Sequence, residues 1–264
     1  MKWRNIVIPL FALVYACGNE PGDENEAEGK DSLTNILSID SSMSDSARLV
    51  KIETLIEQQQ HDEALSHIDY LLNKHPKNPA LLFIKADALE RKRDTSSALY
   101  YYLQADHISG KFPQARMAAL NLYAETKHPQ TPAYSKMMLE DPASEKIRSD
   151  IFLMQGIYYS KLGKTDMAES IFSKIIQQDY TFLQAYIEKG LLYYDRQQYK
   201  KALEIFTLST EVKNDFAEGY FWMGKTFHKL NQKEAAILQL KRALALDPSI
   251  QEAREELKTL GAIQ

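Results

Sequence analysis

The chain has 264 residues, 44% apolar and 26% charged, with ten glycines, nine prolines and a formal net charge of −4 at neutral pH. These values describe an ordinary globular chain of one or two domains and exclude a collagen-like or wholly disordered one; the acidic balance argues against a nucleic-acid surface. A single cysteine excludes an internal disulfide framework and any cysteine-based zinc site.

In chain order, the first feature is Met1-Lys2-Trp3-Arg4, followed by an apolar run from Ile6 to Ala16 and then Cys17. A basic start, a short apolar centre and a small residue before the break read as a secretory signal peptide over 1–16, too short to span a bilayer as a mature helix. The sole cysteine falls immediately after the break, in Val14-Tyr15-Ala16-Cys17-Gly18. This segment resembles the lipobox of bacterial lipoproteins, although Tyr15 is bulkier than the residue usual there. The resemblance implies a diacylglycerol on Cys17, with each buried methylene contributing about 0.8 kcal/mol to membrane retention. Loss of Lys2 and Arg4 with the signal takes the net charge from −4 to −6.

Residues 17–44 carry Glu20, Asp23, Glu24, Glu26 and Glu28 before the first basic residue, Lys30. Low hydrophobicity and charge of one sign predict an acidic, disordered tether. The acidic run also resembles the surface-export signal of lipoproteins in the Bacteroidota, and a solvated linker without a sorting role explains it equally well.

From residue 45 a period emerges. Alanines recur at Ala64, Ala98, Ala168, Ala202 and Ala236, with gaps of 34, 70, 34 and 34. The gap of 70 is two periods with a two-residue insertion. Gly156, Gly190 and Gly224 keep the same ruler, with Ala86 and Ile52 in the matching places upstream. Large apolar residues follow each alanine by four, at Ile68, Tyr102, Phe172, Phe206 and Leu240. The pattern resembles the tetratricopeptide repeat (TPR), a helix–turn–helix unit, and the copy from Ala217 to Ile250 fits best. Six repeats are predicted, at 45–78, 79–112, a divergent 113–148, 149–182, 183–216 and 217–250, with a polar capping helix over 251–264. The expected fold is an all-α, right-handed α-solenoid, because one hairpin cannot bury both of its faces alone.

The third repeat departs from the pattern. Leu120 stands where a small residue is expected, and Pro129 and Pro132 occupy the turn. Asp141-Pro142 should cap a new helix, so the first helix of the fourth repeat is expected to run from about 142 to 162.

Gly219-Tyr-Phe-Trp-Met-Gly224-Lys225-Thr226 matches the P-loop pattern by letter. That pattern binds phosphate only as a loop between strand and helix, and here it falls inside the first helix of the best repeat. Gly163-Lys164-Thr165 falls in an interhelical turn. The six histidines form no His-Glu-x-x-His pair, and no Gly-x-Ser-x-Gly elbow occurs. No catalytic residue, metal site, cofactor or small-molecule substrate is predicted.

The TPR resemblance implies a concave surface lined by the first helices. Its inward rows would hold Leu49, Phe83, Met117, Leu153, Ile187 and Phe221, then Glu53, Asp87, Asn121, Ile157, Leu191 and Lys225. Tyr194 and His228 lie in a third row. An apolar stripe, acidic near Glu53 and Asp87 and basic near Lys225, suits an amphipathic helix or extended segment. The expected function is therefore a lipid-anchored protein-binding adaptor or scaffold of the bacterial cell envelope, at the periplasmic or surface face of the outer membrane. The alternative is a module that associates with itself.

Overall fold

The computed structural model describes residues 43–263. The expected signal peptide, Cys17 and most of the acidic tether lie outside the described residues.

Thirteen α-helices and one 3-10 helix, with no strand, make up the described residues. They pair as hairpins: α1 (Asp45–Glu57) with α2 (His61–Lys74), α3 (Pro79–Arg91) with α4 (Thr95–Ser109), and α5 (Pro113–Glu125) with α6 (Thr131–Glu140). After the 3-10 helix Pro142–Ile147 come α7 (Arg148–Lys161) with α8 (Thr165–Gln178), and α9 (Leu183–Asp195) with α10 (Tyr199–Val212). The series ends with α11 (Ala217–Lys229), α12 (Lys233–Leu246) and the closing helix α13 (Gln251–Thr259). The chain forms two compact units, one up to Leu122 and one from Tyr123.

Each hairpin turns in the same way. Gln59, Arg93, Lys127, Gly163, Gln197 and Asn231 have φ between 57° and 72°. The residue after each donates its backbone N–H to the carbonyl five positions back, at 2.8–2.9 Å, from Gln60 to Leu55 in the first hairpin and from Gln232 to Phe227 in the last. This bond and the left-handed residue before it form a Schellman motif, which ends the first helix and aims the chain back along it.

Packing within the hairpin explains the glycine period. A Cβ placed on Gly190 would come within 2.2 Å of the Phe206 ring, and one on Gly156 within 2.2 Å of the Phe172 ring. On Gly224 it would meet Leu240 at 2.6 Å. The side chain four residues after each period alanine therefore fills the space over the first helix. Ala64, Ala98, Ala168, Ala202 and Ala236 are all fully buried.

In the N-terminal unit the first core gathers Leu49, Ile52, Leu55, Ile68, Leu71 and Leu81. Arg48 is buried among them. Its guanidinium hydrogen-bonds His67 Nδ1 at 2.8 Å and lies 3.9 Å from the centre of the Tyr70 ring. Burial, then the Arg48 charge, lowers the pKa of His67 and favours the neutral imidazole that can accept this bond.

The expectation of one long helix from about 142 to 162 is corrected. Asp141 does cap, its carboxylate accepting the Ala143 N–H at 3.0 Å with Pro142 at the first position. The turn it starts is a 3-10 helix, and Ile147, with φ −111° and ψ 15°, breaks the ladder before α7 begins at Arg148. Leu120 is fully buried, as are Thr131 and Ser135 on α6. Gln155 Nε2 donates to Ser135 Oγ at 2.6 Å and ties α6 to α7.

The closing helix behaves as a cap. Ala253, Leu257 and Leu260 enter the core formed with α11 and α12, while Glu252, Arg254, Glu255 and Lys258 are exposed. Its apolar face covers the surface of the last hairpin, and its outer face is polar.

The hairpin geometry generates a direct test. Gly190→Ala should destabilise the protein by about 1–3 kcal/mol, because overpacking against a fully buried ring exceeds the gain in helix propensity. Thermal unfolding followed by circular dichroism measures the loss. Adding Phe206→Leu should recover part of it, and an unchanged midpoint in Gly190→Ala would refute the close-approach explanation.

Candidate functional site

In the N-terminal unit the predicted groove residues lie on α1, α3 and α5. Leu49 is buried in the core, whereas Glu53, Phe83, Asp87, Met117 and Asn121 are half-buried. Phe83 packs between the rings of Tyr102 and Phe112, each 5.3 Å away. Asp87 accepts from Arg91 Nε at 2.8 Å, and Glu90 accepts from the Tyr102 hydroxyl at 3.0 Å. Burial, reinforced by Glu90 and Asp87, pushes the Tyr102 hydroxyl far up and holds its proton. Both carboxylates therefore have partners within the unit.

The C-terminal unit brings the larger apolar patch together. Leu153 and Ile187 are almost fully buried and Phe221 nearly so; they serve the core rather than the surface. Ile157 on α7 and Leu191 and Tyr194 on α9 are half-buried and partly open. The Tyr194 ring meets Tyr199 and Trp222 edge-on, at 5.3 and 5.8 Å between centres, and burial pushes its hydroxyl up to about 12. Trp222 also stacks on Phe206 at 5.9 Å. Lys225 Nζ lies 4.9 Å from the Trp222 ring centre and 5.5 Å from that of Phe221, so its charge is held against aromatic faces. His228 Nδ1 hydrogen-bonds Glu256, which joins α11 to the closing helix.

Polar residues missed by the sequence reading flank this patch. Asp150, Gln184 and Glu218 each stand three positions before an inward-row residue (Leu153, Ile187 and Phe221), which places them on the same helix face. Glu188 directly follows Ile187. Burial raises the Asp150 carboxyl to about 6. Burial is the largest influence on Glu188 and raises it, while the Gln184 hydrogen bond acts the other way. Gln184 Nε2 donates to Glu188 Oε1 at a long 3.4 Å. The signal was available in the sequence: carrying each row one turn towards the helix N-terminus reaches Asp150, Gln184 and Glu218.

The P-loop letters lie within α11. Thr226 Oγ1 donates to the Trp222 carbonyl at 2.7 Å, and a Cβ on Gly219 would meet Ser209 Oγ at 2.6 Å. These residues serve helix and packing, with no loop of free N–H groups to hold phosphate. Among the described residues no group of three or more His, Cys, Asp or Glu is placed to hold a metal ion. No helix among them is long and apolar enough to cross a membrane.

Family models described as tetratricopeptide repeat match residues 49–116, 183–216 and 217–250, together about half of the chain. The last two stretches coincide with the fifth and sixth repeats read from the period. The chain belongs to the tetratricopeptide-repeat family. A tetratricopeptide repeat protein from Parabacteroides merdae ATCC 43184 superposes with a TM-score of 0.63 at 20% identity, over 82% of this chain and 84% of that one. PilW, a type IV pilus biogenesis factor, gives a TM-score of 0.58 at 18% identity over 83% of this chain and 100% of its own. Pseudomonas aeruginosa pilF gives 0.51 at 15% identity over 81% and 97%. No curated protein sequence matches. The shared fold is an all-α array of helical hairpins, of a family whose members are generally non-catalytic scaffolds that bind peptides or proteins.

The setting of Asp150 predicts a pH response. Its folded carboxyl titrates near 6, whereas an unfolded one titrates near about 4. The folded state thus holds the proton more tightly; this contribution is complete below about pH 4 and is lost as pH rises through about 6. Asp150→Asn should therefore unfold at a higher temperature than the parent at pH 8 and converge with it at pH 4. A lower midpoint at pH 8 would mean that the folded protein uses the anion.

Proposed function

We propose that the chain is a lipid-anchored adaptor of the bacterial cell envelope, which grips a segment of another protein in the groove of its C-terminal unit. The observation that carries this reading is the half-buried row Ile157, Leu191 and Tyr194, backed by the Trp222 ring and seated on the core of successive first helices. Apolar side chains left partly open on a rigid support offer pockets for alternate side chains of a bound helix or strand. Anchoring rests on the pattern from Met1 to Cys17, whose lone thiol stands where lipid transfer requires it. An assembly role in the envelope is in keeping with a fold shared with a type IV pilus biogenesis factor. The adaptor needs no cofactor; its work is to bring a bound protein to a membrane.

Site-specific photocrosslinking in intact cells tests the groove. A photoreactive residue at Leu191 should yield adducts with another protein, whereas one at the exposed Leu238 of α12 should not. Ile157→Asp with a probe at 191 should lower adduct yield about tenfold, a loss of roughly 1.4 kcal/mol in affinity, with helicity unchanged. Adducts from Leu238 alone would move the site off the groove. Anchoring is tested separately: Cys17→Ser should shift the protein from the membrane to the soluble fraction, and retention without lipid would refute it.

A further inference from the structure

The first hairpin contains a buried pair that holds only while one member is neutral. Arg48 of α1 and His67 of α2 are both buried, and the guanidinium meets His67 Nδ1 at 2.8 Å while lying 3.9 Å from the centre of the Tyr70 ring. A guanidinium nitrogen only donates, so Nδ1 must offer its lone pair and the ring proton must sit on Nε2. Whatever else the guanidinium meets, a proton added at Nδ1 removes this acceptor and sets two cations against each other in an apolar site.

The charges around the imidazole do little to compensate. Those acting on it are Arg48 and Lys51 from α1, which oppose a charged ring, and Glu63 from its own helix, which favours one. Glu63 stands 4.0 Å from Nε2, is exposed and meets Lys51 at 3.5 Å. From α3, Lys85 meets Asp69, and Lys92, just beyond the helix end, meets Asp62. His75 and Lys74 meet Asp45 across the same hairpin, at 3.2 and 3.0 Å, and protonation of His75 would strengthen that contact. Solvent screens it, because all three side chains are exposed. Burial, then the Arg48 charge, holds His67 below its ordinary value of 6.5. The pair's contribution to stability is therefore complete above about pH 6.5 and is lost as pH falls through the window below it.

Leu49, Ile52 and Leu55 of α1 and Ile68 and Leu71 of α2 share one core with Leu81, Ile84 and Ala88 of α3. Opening the hairpin would withdraw Leu49 and Glu53 from the inward rows and bare that face of α3. We propose that the first hairpin is an acid-released latch: a proton on His67 breaks its bond to Arg48, and α1 and α2 open from α3 while the C-terminal unit stays folded.

Hydrogen exchange of the full chain, read by mass spectrometry between about pH 7.5 and pH 5.5 and corrected for the intrinsic rate, tests this. Protection of the α1 and α2 amides should fall by up to about tenfold per pH unit below about 6.5, the limit set by one proton, whereas α11 and α12 keep theirs. His67→Asn, whose Oδ1 can accept in place of Nδ1 without titrating, should abolish the loss, and His75→Gln should leave or enlarge it. Nitrogen-15 spectra of the imidazoles should show His67 neutral at about pH 7.5 with its proton on Nε2. A proton on Nδ1 there refutes the latch even if His67→Asn fails to fold. No loss of protection in the parent, an equal loss in His67→Asn, or a loss spread evenly over both units would overturn the proposal.

Discussion

The structure depends on one close approach: a side chain of the second helix lies where the first helix would carry a Cβ. Phe172 over Gly156 and Phe206 over Gly190 are its clearest instances. The contact is not confined to glycine. In the first repeat Ile52 takes the glycine position and Ile68 the ring position, and both are fully buried. In the second the corresponding residues are Ala86 and Tyr102. Several pairs of buried residues thus fill this contact, so the hairpin is kept while its sequence drifts. Once that face is committed to the hairpin, only the opposite face of each first helix is left to meet a ligand.

The hairpin turn adds a constraint of a different kind. Five of the six left-handed residues are not glycine, and each bears a strain of about 1 kcal/mol. Two backbone bonds per motif and the packed core of the hairpin offset it. These turn positions fall 34 residues apart, with 36 between Lys127 and Gly163, and so repeat the alanine ruler with its two-residue insertion. The period is a property of the backbone, and the side chains follow it.

This explains what could be read from the chain and what could not. Ala64, Ala98, Ala168, Ala202 and Ala236 mark fully buried positions because close packing tolerates few residues there, so the hairpins and the closing helix were legible. Gln59 and Arg93 gave no hint of a left-handed turn, since nothing in those side chains requires one. The break at Ile147 was equally silent: Asp141-Pro142 signals a helix start but not whether the first turn is α or 3-10. His228 was read as groove surface, yet it is joined to Glu256, a contact that exists only once α13 has docked. Leu153 and Ile187 belong to the apolar row as expected, but the structure assigns them to the core and leaves Ile157, Leu191 and Tyr194 as the part that meets solvent.

Charge separates the two units more sharply than hydrophobicity does. Counting residues along the rows made the N-terminal unit acidic and gave the C-terminal unit a basic end at Lys225. The side-chain geometry changes both assignments. Asp87 is bound by Arg91 and Glu90 by Tyr102, whereas Lys225 lies against aromatic rings. Formal charge at a position is therefore a poor guide to the charge presented there; what decides it is whether a partner lies within the same packed unit. Where one does, the carboxylate is a structural element. Where burial dominates, as at Asp150, the carboxyl is pushed up instead and the residue presents less charge than its formula suggests.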